Sequence, residues 1–367
     1  MVKKKKIFFL LYSMHVGGVE KSLVNLLSTL SREEYDIHVG LVFPEGDLLP
    51  LLPPDVTLHP VTDISQYWNE LKQPPLDTIC GYIRSGRIIR ALAAFFVYLR
   101  CKVGRSYYSW VDNFLRGVSG IEQTFDIAVA YAGPSLDIDY YVCYKVKAVQ
   151  KIGWVHFDIS RFGIDRKATR LLYGLYDRIY IVSETGKKIF DQIYLELREK
   201  TKVYHNVISV SSVHEQACIG ESFCDDYKGK RILTVGRISP EKGQKVAIKA
   251  LKLLLEKKYD LRWYFVGDGS DMGTCKAMAE SLGLNDSVVF LGEKINPYGF
   301  MRNCDIYVQP SRHEGYCITL AEALCFSCPV VATRFTGAED QLINQDKGVV
   351  VGMSAEEIAS GIELFLT

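Results

Sequence analysis

Continuous apolar runs alternate with helix-periodic stretches along most of this chain. IFFLLYS (7–13) ends in a small, turn-forming stretch around Gly17 and Gly18, after which VEKSLVNLLSTL carries apolar residues at helical spacing. The expectation is strand, glycine loop, helix. Further strand-like runs follow at Ile37 to Phe43, Ile127 to Tyr131, Lys151 to Val155 and Arg178 to Val182, the pattern of a parallel sheet with helices on both faces. From about Ser209 to Tyr227 the sequence turns polar and loses periodicity, which predicts a linker over 209–228. The plan then repeats. RILTVG (231–236), a helix from about Gly243 to Lys257, LRWYFVG (261–267), VVFLG (288–292), DIYVQPS (305–311), a helix from about Thr319 and CPVVAT (328–333) make a second unit. The fold expected is α/β, with Rossmann-like doubly wound domains over 1–208 and 229–367. Ligands of open α/β sheets bind beyond the carboxyl ends of the strands, so the two domains are expected to face one another across a cleft holding the chemistry.

Length agrees with this division, since 367 residues exceed one small module and fit two ordinary domains. Hydrophobic residues at 48% and charged residues at 24% supply real cores and exclude wholesale disorder. A formal net charge of +1 argues against a dedicated nucleic-acid binder, which needs a strong basic excess. The ten cysteines are scattered without the spacing of a disulfide framework, which points to a reducing cytoplasm. Cys325 and Cys328 form a CxxC, but no second pair completes a zinc tetrahedron, and EALCFSCPVVAT reads as helix, turn, strand. The basic, apolar start MVKKKKIFFLLYSM is too short for a leader's apolar core and lacks a small-residue cleavage site, so it reads as a first buried strand.

The second half carries VGRISPEKG, YFVGDGSD, VVFLGEKIN, MRNCDIYVQPSRHEGYCITLAEAL and PVVAT in order. This train, over about residues 230 to 340, resembles the retaining, nucleotide-sugar-dependent glycosyltransferases of family 4, which have the GT-B fold; the loop at Gly17 and Gly18 extends the likeness to the first domain. A sugar nucleotide presents two phosphates whose charge must be held as the sugar–phosphate bond breaks, and fixed cations do that without a metal. The resemblance gives this task to Arg237 and Lys242. It assigns Glu314 to the sugar hydroxyls and Glu322 to the ribose, the two glutamates of an E-x7-E pattern. Eight residues are two turns plus about 80° of an ideal helix, so the two carboxylates need separate tasks. Between them, the N–H groups of Gly315, Tyr316, Cys317, Ile318 and Thr319 would face the phosphate at a helix start. Thr319 and Glu322 also match a capping box.

In the family the loop at Gly17 and Gly18 meets the diphosphate, where glycines permit close approach and free φ values. His156 resembles the first-domain histidine that contacts the donor sugar, with Ser183 and Asn206 at comparable strand-end positions. Lys294 and Ile295 are expected near the nucleobase. Asp340, in RFTGAEDQL, stands where the family carries an acidic residue after the PVVAT strand, without its usual proline. VGDGSD lacks the third glycine of a dinucleotide fingerprint, which discards a dehydrogenase reading. The chain stops at Thr367 soon after EEIASGIELFL, whereas the family commonly ends in a helix crossing back to the first domain; either that crossing is abbreviated or the natural end is missing.

Asp137 and Asp139 form a DxD, the metal-ligand pair of the other main glycosyltransferase architecture. With Arg237 and Lys242 supplying positive charge, no metal or other cofactor is expected, the nucleotide sugar being a substrate. Residues 81–120 hold seven basic residues against one acidic residue, Asp112, interleaved with apolar positions. The stretch 82–105 is too short and too charged to span a bilayer but suits its anionic surface; the plain alternative is a helix with an apolar core face and solvated arginines. The resulting expectation is a retaining, metal-independent hexosyltransferase. It would move a hexose or hexosamine from a UDP-sugar to a glycan hydroxyl in cell-surface polysaccharide or glycoconjugate synthesis, and a lipid-linked acceptor fits the basic stretch. The alternatives are a catalytically silent sugar-nucleotide-binding scaffold and a metal-dependent enzyme using the DxD.

Overall fold

The computed structural model describes residues 3–160, 163–343 and 346–366; the final Thr367 lies outside them. The chain divides into two units, Met1–Val182 with Lys187–His205, and Ser183–Gly186 with Asn206–Thr367.

In the first unit the strands are β1 Lys5–Leu11, β2 Tyr35–Leu41, β3 Thr57–Pro60, β4 Ile121–Ala130, β5 Val146–Val155, β6 Arg178–Ile181 and β7 Thr201–Val203. They pair in the order β3-β2-β1-β4-β5-β6-β7, every pairing parallel. A parallel sheet covered on both faces needs strands apolar on both faces, and β1 buries Phe8, Phe9, Leu10 and Leu11 in succession. This is why IFFLL reads as an unbroken run. Between β3 and β4 the chain makes the helices Thr62–Ser65, Trp68–Lys72, Pro75–Arg84, Ile88–Gly104 and Tyr108–Leu115. The last three share a small core of Ile79, Tyr82, Ala91, Ala94, Cys101, Trp110 and Phe114.

The second unit contains β8 Lys230–Val235, β9 Leu261–Val266, β10 Val288–Gly292, β11 Ile306–Gln309, β12 Val330–Thr333 and β13 Gly348–Val351, in the parallel order β10-β9-β8-β11-β12-β13. Both sheets thus reverse direction once, after β1 and after β8, which is the doubly wound arrangement. The short strands β3, β7 and β13 have no counterpart in the sequence reading.

The segment 209–228 corrects the expectation of an irregular linker. Val210–Ile219 is a helix, started by the Ser209 side chain, which accepts a hydrogen bond from Ser212 N at 3.4 Å. Val213 and Ala217 anchor it to Tyr298 and Met301 in the second core. Two small anchors in a polar segment leave little periodic signal.

Glycines in this unit serve loop packing. Gly267 has φ +141°, and a Cβ there would lie 2.1 Å from Gly236 O, so the loops after β8 and β9 press together. The VGDGSD run is therefore a loop-packing device.

Candidate functional site

Where strand order reverses, neighbouring loops leave the sheet in opposite directions and open a crevice. In the second unit that point lies between β8 and β11. The loop after β8 carries Arg237 and Lys242, and the loop after β11 carries Ser311 and Glu314. The two are tied by Arg312 N donating to Glu241 O at 2.7 Å. Gly243, at φ +77°, turns the chain from Lys242 into the helix Gln244–Glu256, and a Cβ there would collide with Pro310 O. Glycine at this position is what lets Lys242 approach the β11 loop.

Lys242 Nζ donates to Glu314 Oε1 at 2.5 Å. Burial works to lower the ammonium's pKa, but the Glu314 carboxylate prevails and holds it above the ordinary lysine value. Lys242 is thus a fixed cation at neutral pH. Arg237 is exposed, and its guanidinium makes no hydrogen bond or ion pair among the described residues. A buried relay aims at the same carboxylate: Tyr307 Oη donates to Gln309 Oε1 (2.7 Å), Gln309 Nε2 to Ser311 Oγ (2.9 Å), and Ser311 Oγ to Glu314 Oε1 (2.8 Å). Every donor in the relay points one way, so with Lys242 and Ser311 both donating to Oε1 the Glu314 carboxyl is fixed in one orientation, with Oε2 making no hydrogen bond among the described residues. Sequence reading singled out Arg237, Lys242 and Glu314 as candidates and passed over Ser311 and Gln309, which carry no signal beyond their place after a strand.

Glu314 lies in the loop ahead of the helix Ile318–Ala323, and Glu322 lies within it, so the separate tasks inferred from the eight-residue spacing have separate places. The capping box does not form. Cys317, at φ +44°, is the N-cap, and Glu322 is wholly buried, accepting a hydrogen bond from Tyr298 Oη at 2.7 Å. Gly315 and Tyr316 precede that helix, backed by Gly337 at φ +83° and by Gln341, whose amide donates to Tyr316 O. Thr319, in the helix's first turn, donates to Gln309 Oε1 at 3.2 Å. Lys294 and Ile295 follow β10; Lys294 Nζ pairs with Glu221 Oε2 at 2.5 Å, and Ile295 is exposed. Asp340 lies on the helix Ala338–Leu342.

The first unit has its own reversal between β1 and β4. Gly17 is the extended N-cap of the helix Gly18–Thr29. Neither Gly17 nor Gly18 has positive φ, which corrects the expectation of φ freedom. A Cβ on Gly18 would have nothing within 4 Å, so the space beside it is open, whereas a Cβ on Gly17 would meet the Glu20 carboxylate. His156 follows β5, its ring 4.6 Å from Tyr131 and stacked at 6.0 Å on Trp154. Burial drives its pKa down to about 3, and its Nε2 is buried with no hydrogen-bond partner among the described residues. A neutral imidazole with an unused nitrogen suits a hydroxyl. Ser183 Oγ accepts from Gly186 N at 3.1 Å and so starts the next helix, while Asn206 is buried.

The DxD carboxylates are committed to protein donors. Asp137 Oδ1 accepts from Tyr12 Oη (2.6 Å) and Ser135 Oγ (2.8 Å), with Lys72 Nζ 3.0 Å from Oδ2. Asp139 accepts from Ser135 N (2.8 Å) and Tyr176 Oη (2.7 Å), and burial raises its pKa to about 7. Cys325 and Cys328 hydrogen-bond to the carbonyls of Ala321 and Met301, in the helix-turn-strand setting the sequence predicts.

Residues 225–367 match the family described as glycosyl transferases group 1. The N-acetylgalactosamine-N,N'-diacetylbacillosaminyl-diphospho-undecaprenol 4-alpha-N-acetylgalactosaminyltransferase of Campylobacter jejuni is 29% identical over 187 residues, 51% of this chain and 49% of that protein. The lipopolysaccharide glucosyltransferase WaaG of Escherichia coli is 24% identical over 277 residues, 71% of this chain and 72% of that one. The chain spans about half the length of the first curated relatives it matches. Among solved structures, Anabaena HepE in complex with UDP-glucose superposes with a TM-score of 0.66 at 20% identity, covering 98% of this chain and 89% of that one. A Staphylococcus aureus TarM variant bound to UDP reaches 0.67 at 13%, covering 99% and 92%. With the two doubly wound sheets, these likenesses show the GT-B fold.

Proposed function

We propose that the protein is a retaining, family 4 glycosyltransferase that moves a hexose or hexosamine from a UDP-sugar to a hydroxyl of a lipid-linked glycan, in polysaccharide or glycoconjugate synthesis. The observation that carries this reading is the Lys242–Glu314 pair beside the exposed Arg237 at the β8/β11 reversal, inside the stretch that matches the glycosyl transferase family. The UDP bound to HepE and TarM supports the base. The undecaprenol-linked substrate in the Campylobacter relative's name supports the acceptor class.

The chemistry asks little covalent work of the protein. The bond from the sugar's anomeric carbon to the β-phosphate oxygen breaks, and the acceptor oxygen bonds the same face. The acceptor's proton passes to the departing phosphate, so no protein nucleophile is needed. Negative charge grows on the diphosphate, where Arg237 and Lys242 stabilise it, and no metal is required. Glu314, held by Lys242 and Ser311, offers Oε2 to a sugar hydroxyl, whereas Glu322, expected at the ribose, lies wholly buried on Tyr298 and anchors the helix Ile318–Ala323. The main-chain N–H groups from Gly315 to Thr319 serve the phosphate, and Lys294 and Ile295 the base. At the first unit's reversal Gly17 and Gly18 admit phosphate, and the neutral His156 accepts a sugar hydroxyl. The enzyme acts in the cytoplasm, at the inner face of the plasma membrane.

The test is UDP release by the purified protein across a panel of UDP-sugars, with lipid-linked glycan acceptors and a chelator present. Acceptor-dependent release that Glu314→Gln and Arg237→Ala both abolish, in folded protein, is the expected result. Ligand-induced stabilisation without release from any acceptor would instead indicate a silent scaffold.

A further inference from the structure

The helix Ile88–Gly104 is packed the wrong way round for an ordinary surface helix. Its buried residues are small, Ala91, Ala94 and Cys101, and they face the core shared with the flanking helices. Its large apolar residues point outward: Ile89 is 85% exposed, Leu92 55%, Phe96 67% and Val103 88%, with Ile88, Phe95 and Leu99 also exposed. Ile89, Leu92, Phe96, Leu99 and Val103 recur at spacings of three and four, which places them in one stripe opposite the small residues. At 1.5 Å per residue the stripe runs about 20 Å. Scattered exposed hydrophobes need no explanation, but an ordered stripe does.

Charge identifies what covers it. Arg84, Arg87, Arg90, Arg100, Lys102 and Arg105 are all exposed, and among the described residues none pairs with a carboxylate. Asp112, the one acidic residue of 81–120, gives its carboxylate to Arg116 and Tyr140, while Glu70 and Asp165, which flank the same helices, accept from Tyr82 Oη and the Tyr107 N–H. A second copy of the chain meeting this face would set cations against cations. No helix among the described residues is long and apolar enough to cross a membrane.

We propose that this face docks on an anionic phospholipid surface, the helix lying in the interface with Ile89, Leu92, Phe96, Leu99 and Val103 among the acyl chains and the basic residues at the headgroups. Docking brings the first unit to a membrane in which a lipid-linked acceptor resides. It stands or falls separately from the transferase reading, because the face shares no residue with the donor site.

The experiment is co-sedimentation of the full chain with phosphatidylcholine vesicles, with and without 30% phosphatidylglycerol. Binding is expected on the anionic vesicles and not on the neutral ones. Arg84→Gln/Arg90→Gln/Lys102→Gln weakens it about a hundredfold at low salt, and Ile89→Ser/Phe96→Ser/Val103→Ser at least as much. Because the replaced side chains are exposed, melting temperature and UDP affinity stay unchanged. Absent binding, equal binding to both vesicles, or a concentration-dependent dimer that the serine variant dissolves would each overturn the proposal; the last would make the face a self-association surface. Loss of UDP binding in the unmodified chain would instead count against the transferase reading.

Discussion

Replacing Lys242 by Met strands Glu314. The two side chains are 22% and 12% exposed, and after the change only Ser311 still donates to the carboxylate. Breaking a fully buried pair by removing one partner costs about 3–5 kcal/mol, and the residual exposure here places the loss near about 3 kcal/mol. Glu314→Gln keeps the shape and an acceptor for both Ser311 and Lys242, so its loss is about 1–2 kcal/mol. The double variant leaves no unpaired carboxylate, and its loss falls short of the sum by about 1.5 kcal/mol. Because two units need not unfold together, the energies are best read from hydrogen exchange of the β8 and β11 amides, which reports the second unit alone. Losses that add to within about 0.4 kcal/mol would refute the pairing. All three variants lose transfer, but only the non-additive energies show that the two residues act as one device.

Gly18→Ala tests whether the first glycine loop is a turn or a site: with open space at its Cβ and no positive φ, the variant folds and melts like the parent, and donor turnover falls at least tenfold. Asp139 and His156 give the first unit opposite pH dependences. Asp139, raised to about 7 in the folded chain from an unfolded value of about 4, loses stability as pH rises between them, by about 1.4 kcal/mol per unit. His156, lowered to about 3 from about 6.5 unfolded, loses it at the same rate as pH falls between them. The slopes oppose between about pH 4 and 6.5, so urea midpoints of Asp139→Asn should rise with pH there and those of His156→Gln should fall; parallel profiles would contradict both assignments. Tyr298→Phe removes the phenol bonded to the buried Glu322, and a loss of about 1.5–3 kcal/mol in second-unit exchange is expected, with an unchanged value placing that carboxylate on other donors.

Both sheets were legible because buried parallel strands are apolar on both faces, as IFFLL and RILTV are, and because glycines mark the loops at their ends. The edge strands Thr57–Pro60, Thr201–Val203 and Gly348–Val351 were not, being three or four residues long and half solvated. The helix Leu136–Lys145 buries Asp137, Asp139 and Tyr140 alike, so it shows no apolar stripe and its carboxylates read as a metal motif. In the site, Arg237, Lys242 and Glu314 stood out through the motif train. Tyr298 and Glu322 lie 24 residues apart, and only the folded core brings them together. The stripe from Ile89 to Val103 was visible as apolar spacing, but which of the helix's two faces is buried required Ala91 and Ala94 to be seen inside.

Calorimetric titration of UDP into the purified protein in excess chelator tests the central claim most directly. The account predicts saturable binding without divalent cations that weakens about a hundredfold in Arg237→Ala. Binding that needs a divalent cation, or that Arg237→Ala leaves unchanged, would contradict it.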